Sequence, residues 1–249
     1  MTEQQKHFPD FYVTAEQPCP YLHGRMERKL FTHLTNDKPL HLIDNLLRGG
    51  FRRSQNIAYM PYCEGCRACV SVRILVDEFI PGKSMRRIKK LNKDLNARCT
   101  PSIPSPEQYA LFRHYIDTRH AGGGMADMSI LDYATMIEET VIDTFLTEYR
   151  LKPEAPLDHD QDSGKLKAVA FSDRLSDGIS MVYSYFDPDE HTRSLGTYMI
   201  LDHIERSARL GLPYLYLGYW INGSAKMDYK VRFKPQQHLT QEGWQRANI

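Results

Sequence analysis

Seven short stretches carry side chains able to do chemistry. Cys63-Glu-Gly-Cys66-Arg-Ala-Cys69 sets three thiols at C-x-x-C-x-x-C spacing. Thiolates this close can fill three corners of a zinc tetrahedron or ligate an iron–sulfur cluster, with Cys19 as a fourth ligand. Reduced, buried thiols are the competing reading and the preferred one. Lys226-Met-Asp-Tyr-Lys230 places a proton acceptor, Asp228, beside two donors, Tyr229 and Lys230. Arg119-His120 ends a helical pattern before Gly122, Gly123 and Gly124; it suits a carboxylate fork or a cation completing the helix dipole. Arg52-Arg53 and the run Lys83, Arg86, Arg87, Lys89, Lys90, Lys93 and Arg98, opposed only by Asp94, suit phosphates or a solvated helix face. Tyr214-Leu-Tyr-Leu-Gly-Tyr-Trp220 alternates tyrosine and leucine, so Tyr216 can line a cleft while the leucines face a core. Arg193-Ser-Leu-Gly196 opens a helix and can present amides to an anion, a weak signal by itself.

The elements that must position these residues follow from the patterning of the 249-residue chain. A formal net charge of +1 argues against a protein that coats nucleic acid, yet leaves room for a local basic patch that touches a few phosphates. No run approaches the ~18 apolar residues of a membrane span, and residues 1–10 lack a signal-peptide core, so the expected location is cytoplasmic, with no membrane and no DNA partner. Strands are expected at 11–14, 27–33, 56–59, 69–79, 144–150, 167–172, 179–186 and 214–220. Helices are expected at 40–48, at 84–95 with Ser84 as cap, at 105–120 from the start Ser105-Pro106-Glu107, at 130–139 and at 196–209. The proline- and acid-rich stretch 153–164 reads as a mobile surface loop. The sum is an α+β fold with a mixed sheet flanked by helices. It divides into 1–104, a smaller cysteine-containing α+β region with the basic helix, and 105–249, tightly packed together. Antiparallel strands, then Arg-x-x-Gly, a helix and a further strand resemble the GNAT acyltransferase core. The thin loop at Gly196-Thr197 argues against acetyl-CoA.

Several segments taken together are more specific than any one. They are Cys19-Pro-Tyr-Leu22, Gly50-Phe-Arg-Arg-Ser54, Tyr59-Met-Pro-Tyr with the cysteine motif, Arg73, Lys83-Ser-Met-Arg-Arg87, Arg119-His120 and the glycines before Met125. Ser180-Met-Val-Tyr-Ser-Tyr185, Tyr216-Leu-Gly-Tyr-Trp220, Lys226-Met-Asp-Tyr-Lys230 and Phe233-Lys-Pro235 complete the series. From residue 11 to residue 244 it resembles the arginyl-tRNA–protein transferase family, and most closely its bacterial aspartate/glutamate leucyltransferase branch.

The resemblance implies a GNAT-like enzyme of the aminoacyltransferase class that moves leucine from leucyl-tRNA to proteins beginning with Asp or Glu, marking them for degradation. Arginyl transfer, a CoA-dependent N-acyltransferase and a non-catalytic tRNA-binding protein are the alternatives. The donor is an activated ester and the nucleophile an α-amine of pKa about 7.7–8.0, so positioning and oxyanion stabilisation suffice and no cofactor is needed for the chemistry. On that reading Asp228 takes the amine's proton, or merely pairs with a neighbouring lysine, the preferred alternative. Tyr229, Lys230 and Tyr219 complete the catalytic group. Arg52, Arg53, Lys83, Arg86, Arg87, Lys89, Lys90 and Tyr216 hold the tRNA, and Arg119, His120 and Tyr183 the acceptor's N-terminus. Relatives implied by the resemblance carry a metal- or iron–sulfur-linked cysteine cluster. This chain departs from that pattern, because Cys19 has no second cysteine nearby.

Overall fold

The computed structural model describes residues 9–35, 38–153 and 164–248. The loop expected at 153–164 lies almost wholly outside the described residues. In chain order the elements are β1 (Tyr12–Val13), β2 (Gln17–Pro18), β3 (Met26–Glu27), β4 (Lys29–His33), α1 (Leu40–Arg48), β5 (Arg52–Ser54), β6 (Ile57–Pro61), β7 (Cys69–Leu75), α2 (Lys83–Leu91) and β8 (Leu95–Pro101). Then come α3 (Pro106–Arg119), α4 (Ile130–Glu138), β9 (Thr144–Leu151), β10 (Leu166–Leu175), β11 (Gly178–Phe186), α5 (Leu195–Arg209), β12 (Tyr214–Ile221), a 3-10 turn (Asp228–Arg232), β13 (Gln236–Thr240) and β14 (Gly243–Arg246).

An eight-stranded mixed sheet in the order β14-β13-β7-β12-β11-β10-β9-β8 organises the chain. Only β11 and β12 run parallel; the other neighbours are antiparallel. Strand alternation explains why helices cover both faces. On β10, Ala168 and Ala170 turn toward Met199, Ile200 and Ile204 of α5 and toward Met85 and Ile88 of α2. Val169 and Phe171 turn the other way, toward Phe112 and Ile116 of α3 and Tyr133 and Ile137 of α4. Both α3 and α4 start with a capping box, at Ser105/Gln108 and Ser129/Asp132.

A smaller sheet, β1-β4-β6-β5, packs with α1 against one end of the large one through Leu34, Ile43, Leu47, Ala58, Leu175 and Tyr216. Arg53 fastens the two sheets: its Nε and Nη2 donate to the Asp173 carboxylate at 2.8 and 2.7 Å, with both side chains fully buried. The large sheet crosses the boundary expected at residue 104, since β7 and β8 precede it and pair with β12 and β9.

One local expectation needs correction, and three strands of the large sheet were not expected. Gly82, not Ser84, caps α2, and no side chain bonds there. β8 reads Leu-Asn-Ala-Arg-Cys-Thr-Pro, a polar edge strand without the alternation that marks a half-buried one. β13 and β14, rich in glutamine and carrying a single buried residue, Gln236, likewise gave no apolar period.

Candidate active site

The site forms where the two parallel strands part. β11 and β12 pair only at Gly178↔Tyr214, Ile179↔Leu215 and Ser180↔Tyr216. Beyond these, the register of β11 against β10 shifts at Val182, and that of β12 against β7 shifts at Leu217. Such bulges bend the strands and free carbonyls from the ladder. Arg52, at the start of β5, fills the opening: its Nη2 donates to the carbonyls of Met181 at 2.8 Å and Val182 at 2.9 Å. Its Nη1 is buried, with no hydrogen-bond partner among the described residues. Gly218 makes this possible. It has a φ of +75°, and a Cβ there would lie 2.7 Å from the Arg52 guanidinium carbon.

A cavity of about 600 Å³ opens over this junction. Its apolar lining includes Met125, Met136, Phe171, Met181, Ile200 and Leu217. Around the rest stand Arg52, His120, Lys226 and Lys230, with Tyr21, Tyr59, Tyr115, Tyr183, Tyr219 and Tyr229. No aspartate or glutamate lines it among the described residues. The adjoining cavity, about 340 Å³, shares Tyr115, Ser184, Ile200 and Tyr229 with the first and holds Arg119, His191 and the first turn of α5.

Lys230 is 4% exposed, and its Nζ donates to the Tyr219 carbonyl. Burial, then the nearby Arg52 charge, pushes its amine down to about 7. Tyr219 itself is pinned: its hydroxyl donates to the Gly50 and Tyr59 carbonyls at 3.0 and 3.2 Å, and burial holds its proton firmly. It therefore ties β12 to the small sheet and has no hydroxyl proton to spare for a substrate. Tyr229 is partly exposed and belongs to both cavities. Asp228 is exposed and does not line the cavity, which removes it from the position of proton acceptor.

Of the residues expected at the acceptor, Tyr183 and His120 line the main cavity, whereas Arg119 opens into the neighbouring one with its guanidinium 5.9 Å from the Phe186 ring. Partial burial, then Lys226 and Arg119, depresses the His120 imidazole. Of those expected at tRNA, Arg53 is corrected by its buried pairing with Asp173. Tyr216 is corrected too: the alternation holds, with Tyr214 and Tyr216 together beside Arg73, but the opposite face, that of Leu217, is the one that lines the cavity. The Tyr216 hydroxyl bonds Asp177 and Arg73, and its ring packs on Trp244. Lys83, Arg86, Arg87 and Lys90 are exposed on α2, while Lys89 pairs with Glu205 of α5. Arg193 is committed to Asp94 through two 2.8 Å bonds. Residues missed in the sequence, Tyr21 and Tyr59, lie inside motifs that were already singled out, but nothing in their spacing marked them as lining.

Cys19, Cys63 and Cys66 surround Cys69, whose thiol is raised to about 11 by burial first and by those neighbours next. Four such thiols are the donor set of a tetrahedral zinc or an iron–sulfur cluster only where they close on one point, and among the described residues no three of them bring their sulfurs within 4.8 Å of one another. A second candidate group, His114, Asp187 and Asp189, has ligand atoms within 4.8 Å of one another, but Asp187 is already taken by Lys167 at 2.9 Å.

This arrangement matches proteins of known kind. The model of the arginine-tRNA-protein transferase C terminus matches residues 107–240, and that of the N terminus matches residues 17–87. An aspartate/glutamate leucyltransferase of Xanthobacter autotrophicus is 57% identical over 247 residues, 99% of each chain. That of Brucella anthropi is 57% identical over 99% of each chain, and that of Sinorhizobium medicae 56% over 100% of this chain and 96% of its own. Among solved structures, L-PGS from Bacillus licheniformis shares the fold at a TM-score of 0.50 and 11% identity, over 68% of this chain and 57% of that one. With both terminal models matched and whole-length relatives above half identity, the chain belongs to the arginine-tRNA-protein transferase family and is a GNAT-like aminoacyltransferase.

Proposed function

We propose that the protein transfers leucine from leucyl-tRNA to proteins whose first residue is Asp or Glu. The carrying observation is the cavity's composition: a methionine-rich apolar lining and several basic side chains, with no lining carboxylate among the described residues. Methionine and aliphatic side chains accommodate a leucyl side chain. An arginyl side chain would bring a guanidinium among cations with no acid to meet it, and burying an unpaired charge is costly. The same cations attract an acidic acceptor.

Lys226 and His120 are the groups proposed to meet the acceptor's side-chain carboxylate, which also relieves the repulsion between them. The acceptor's α-amine, about a tenth uncharged at neutral pH, attacks the ester carbonyl. Lys230, kept partly neutral by burial and by Arg52, takes the proton from the attacking nitrogen. As the amide bond forms, the ester bond to the ribose oxygen breaks, and that oxygen receives the proton from Lys230. Tyr229, at the junction of the two cavities, is placed to donate to the carbonyl oxygen as it becomes negative. Exposed cations of α2 contact tRNA phosphates. Reliance on charged tRNA supports a cytoplasmic location, and among the described residues no helix is long and apolar enough to cross a membrane. The chemistry requires no cofactor; a zinc ion or an iron–sulfur cluster on Cys19, Cys63, Cys66 and Cys69 would need those thiols to draw closer together.

The test supplies labelled leucyl-tRNA, arginyl-tRNA or acetyl-CoA with a peptide beginning in Asp. Label from leucyl-tRNA alone is expected. Label from arginyl-tRNA alone would replace the donor, and label from acetyl-CoA alone would overturn the tRNA-dependent reading.

A further inference from the structure

The small sheet has two faces of different character. Strand register places Thr32, Ala58 and Arg53 in one cross-strand row, all buried and turned toward the large sheet. The adjacent row, Tyr12↔Phe31↔Tyr59↔Arg52, must therefore face outward, because successive residues alternate sides. It begins at the sheet's edge, where Tyr12 is 49% exposed, and ends inside the main cavity, which Tyr59 and Arg52 both line. Its rings are in contact range: Tyr12 and Phe31 have centroids 5.6 Å apart, and His33, two residues along β4, lies 5.7 Å from Phe31. The Lys29 ammonium, paired with Glu27, stands 5.7 Å from the Tyr59 centroid.

Folding does not call for this row. The small sheet's core lies on its other face, and a row of rings exposed at Tyr12 and half-buried at Phe31 and Tyr59 leaves an apolar edge open for something to stack on. The row leads from solvent to Arg52 and Lys230, where an aminoacyl ester has to arrive. Cations accompany it rather than free acids: Lys29 over the Tyr59 ring and Arg52 at the row's inner end. Aromatic rings on an open sheet face, flanked by cations, are the chemistry that receives unpaired nucleotides, whose bases stack while their phosphates meet the positive groups.

We propose that Tyr12, Phe31 and Tyr59 form a stacking platform for the unpaired 3′-terminal nucleotides of the charged tRNA, which conducts the ester past Arg52 into the cavity. This rests on the tRNA-dependent reading given above. It assigns base stacking to the small sheet instead of Tyr216.

Two measurements test it. The first compares KM for leucyl-tRNA and for an Asp-peptide in Tyr12→Ala, Phe31→Leu and Phe31→Trp proteins. Loss of one stacking ring should raise KM for leucyl-tRNA by about 5- to 100-fold. The peptide KM should be unchanged, and Phe31→Trp should stay near the parent. Tyr12 sits on an exposed two-residue edge strand, so its truncation does not disturb the core. The second is equilibrium dialysis of radiolabelled cytidylyl-cytidylyl-adenosine trinucleotide, which needs no turnover; the parent should retain it and Tyr12→Ala should lose most of it. An unchanged KM for leucyl-tRNA, or a rise confined to the peptide, would overturn the platform, as would equal trinucleotide retention by parent and variants. Absence of leucyl transfer by the parent would instead sink the donor reading, leaving the platform to the dialysis result.

Discussion

A lysine amine enclosed by Tyr219, Tyr229 and the Arg52 guanidinium holds its proton less firmly than an exposed one, because burial and like charge both disfavour the cation. Poised at about 7, Lys230 is divided between the two forms in the range where an α-amine also begins to lose its proton. Replacing it by methionine keeps the length and removes the base. The Lys230→Met protein should lose about 10²- to 10⁴-fold in kcat. Its profile of kcat/KM against pH should also lack the inflection near 7, leaving only the acceptor amine's own titration. Stability gives an independent readout of the same depressed value. Below about 10.4 the unfolded chain carries a proton that the folded site resists, so the cost of burying Lys230 grows as pH falls from about 10 to about 7 and is constant below. Relative to the parent, Lys230→Met should therefore gain on the order of 3–4 kcal/mol between pH 10 and pH 7, read from urea midpoints at each pH. A variant retaining the parent's pH–rate profile would show that another group moves the proton.

At the scale of elements, the site depends on two strands being bulged apart and on an arginine from a different sheet filling the gap. Gly218 is the point on which this turns, since its φ of +75° and the Arg52 guanidinium occupying its Cβ direction leave no room for a side chain. Gly218→Ala should push Arg52 off the Met181 and Val182 carbonyls. That costs about 1–3 kcal/mol of stability through the positive φ and the lost bonds. Transfer should fall by more than the unfolded fraction explains, with thermal unfolding and activity measured on the same preparation. Parent-level activity would mean that the wedge is not required. The sequence announced much of this framework but not its join. Ser105-Pro-Glu and the 40–48 pattern gave α3 and α1 because capping and helical period are local signals. Tyr216 was misplaced although its alternation was right, because the period tells that tyrosines and leucines face opposite ways but not which face the cavity takes, and it takes that of Leu217. Arg53 looked like Arg52 in the sequence, yet alternation sends the Arg53 guanidinium to the buried Asp173 and that of Arg52 to the carbonyls of Met181 and Val182. Cys69's neighbours and the Lys226–Lys230 turn were visible as motifs, whereas the exposure of Asp228 and the burial of Lys230 depended on how the 3-10 turn docks.

For the molecule as a whole, the question is how a protein of net charge +1 attracts a polyanion. Its 32 lysines and arginines nearly balance its 31 acids, so attraction has to come from where the cations stand. Many are spent within the protein: Arg53 on Asp173, Arg193 on Asp94, Lys167 on Asp187 and Glu190, Arg206 on Asp202. α2 is different. Met85 and Ile88 anchor it, while Lys83, Arg86, Arg87 and Lys90 face solvent, and among the described residues only Lys89 reaches an acid, Glu205 of α5. Each phosphate contact releases condensed counterions, so affinity falls with salt in proportion to the number of contacts. Changing Arg86, Arg87 and Lys90 to glutamine should lower the slope of log KM for leucyl-tRNA against log salt by about 2 to 3. KM for an Asp-peptide and the unfolding midpoint should stay where they are, because these three side chains are exposed and hold no buried acid. If the slope were unchanged, α2 would be a solvated face, and the phosphates would have to be met by the cations that border the aromatic row and the cavity mouth. A change confined to the slope would instead divide the labour. α2 would gather the tRNA from solution through charge, while the small sheet and the cavity would select its charged end by stacking and by the side chain it carries.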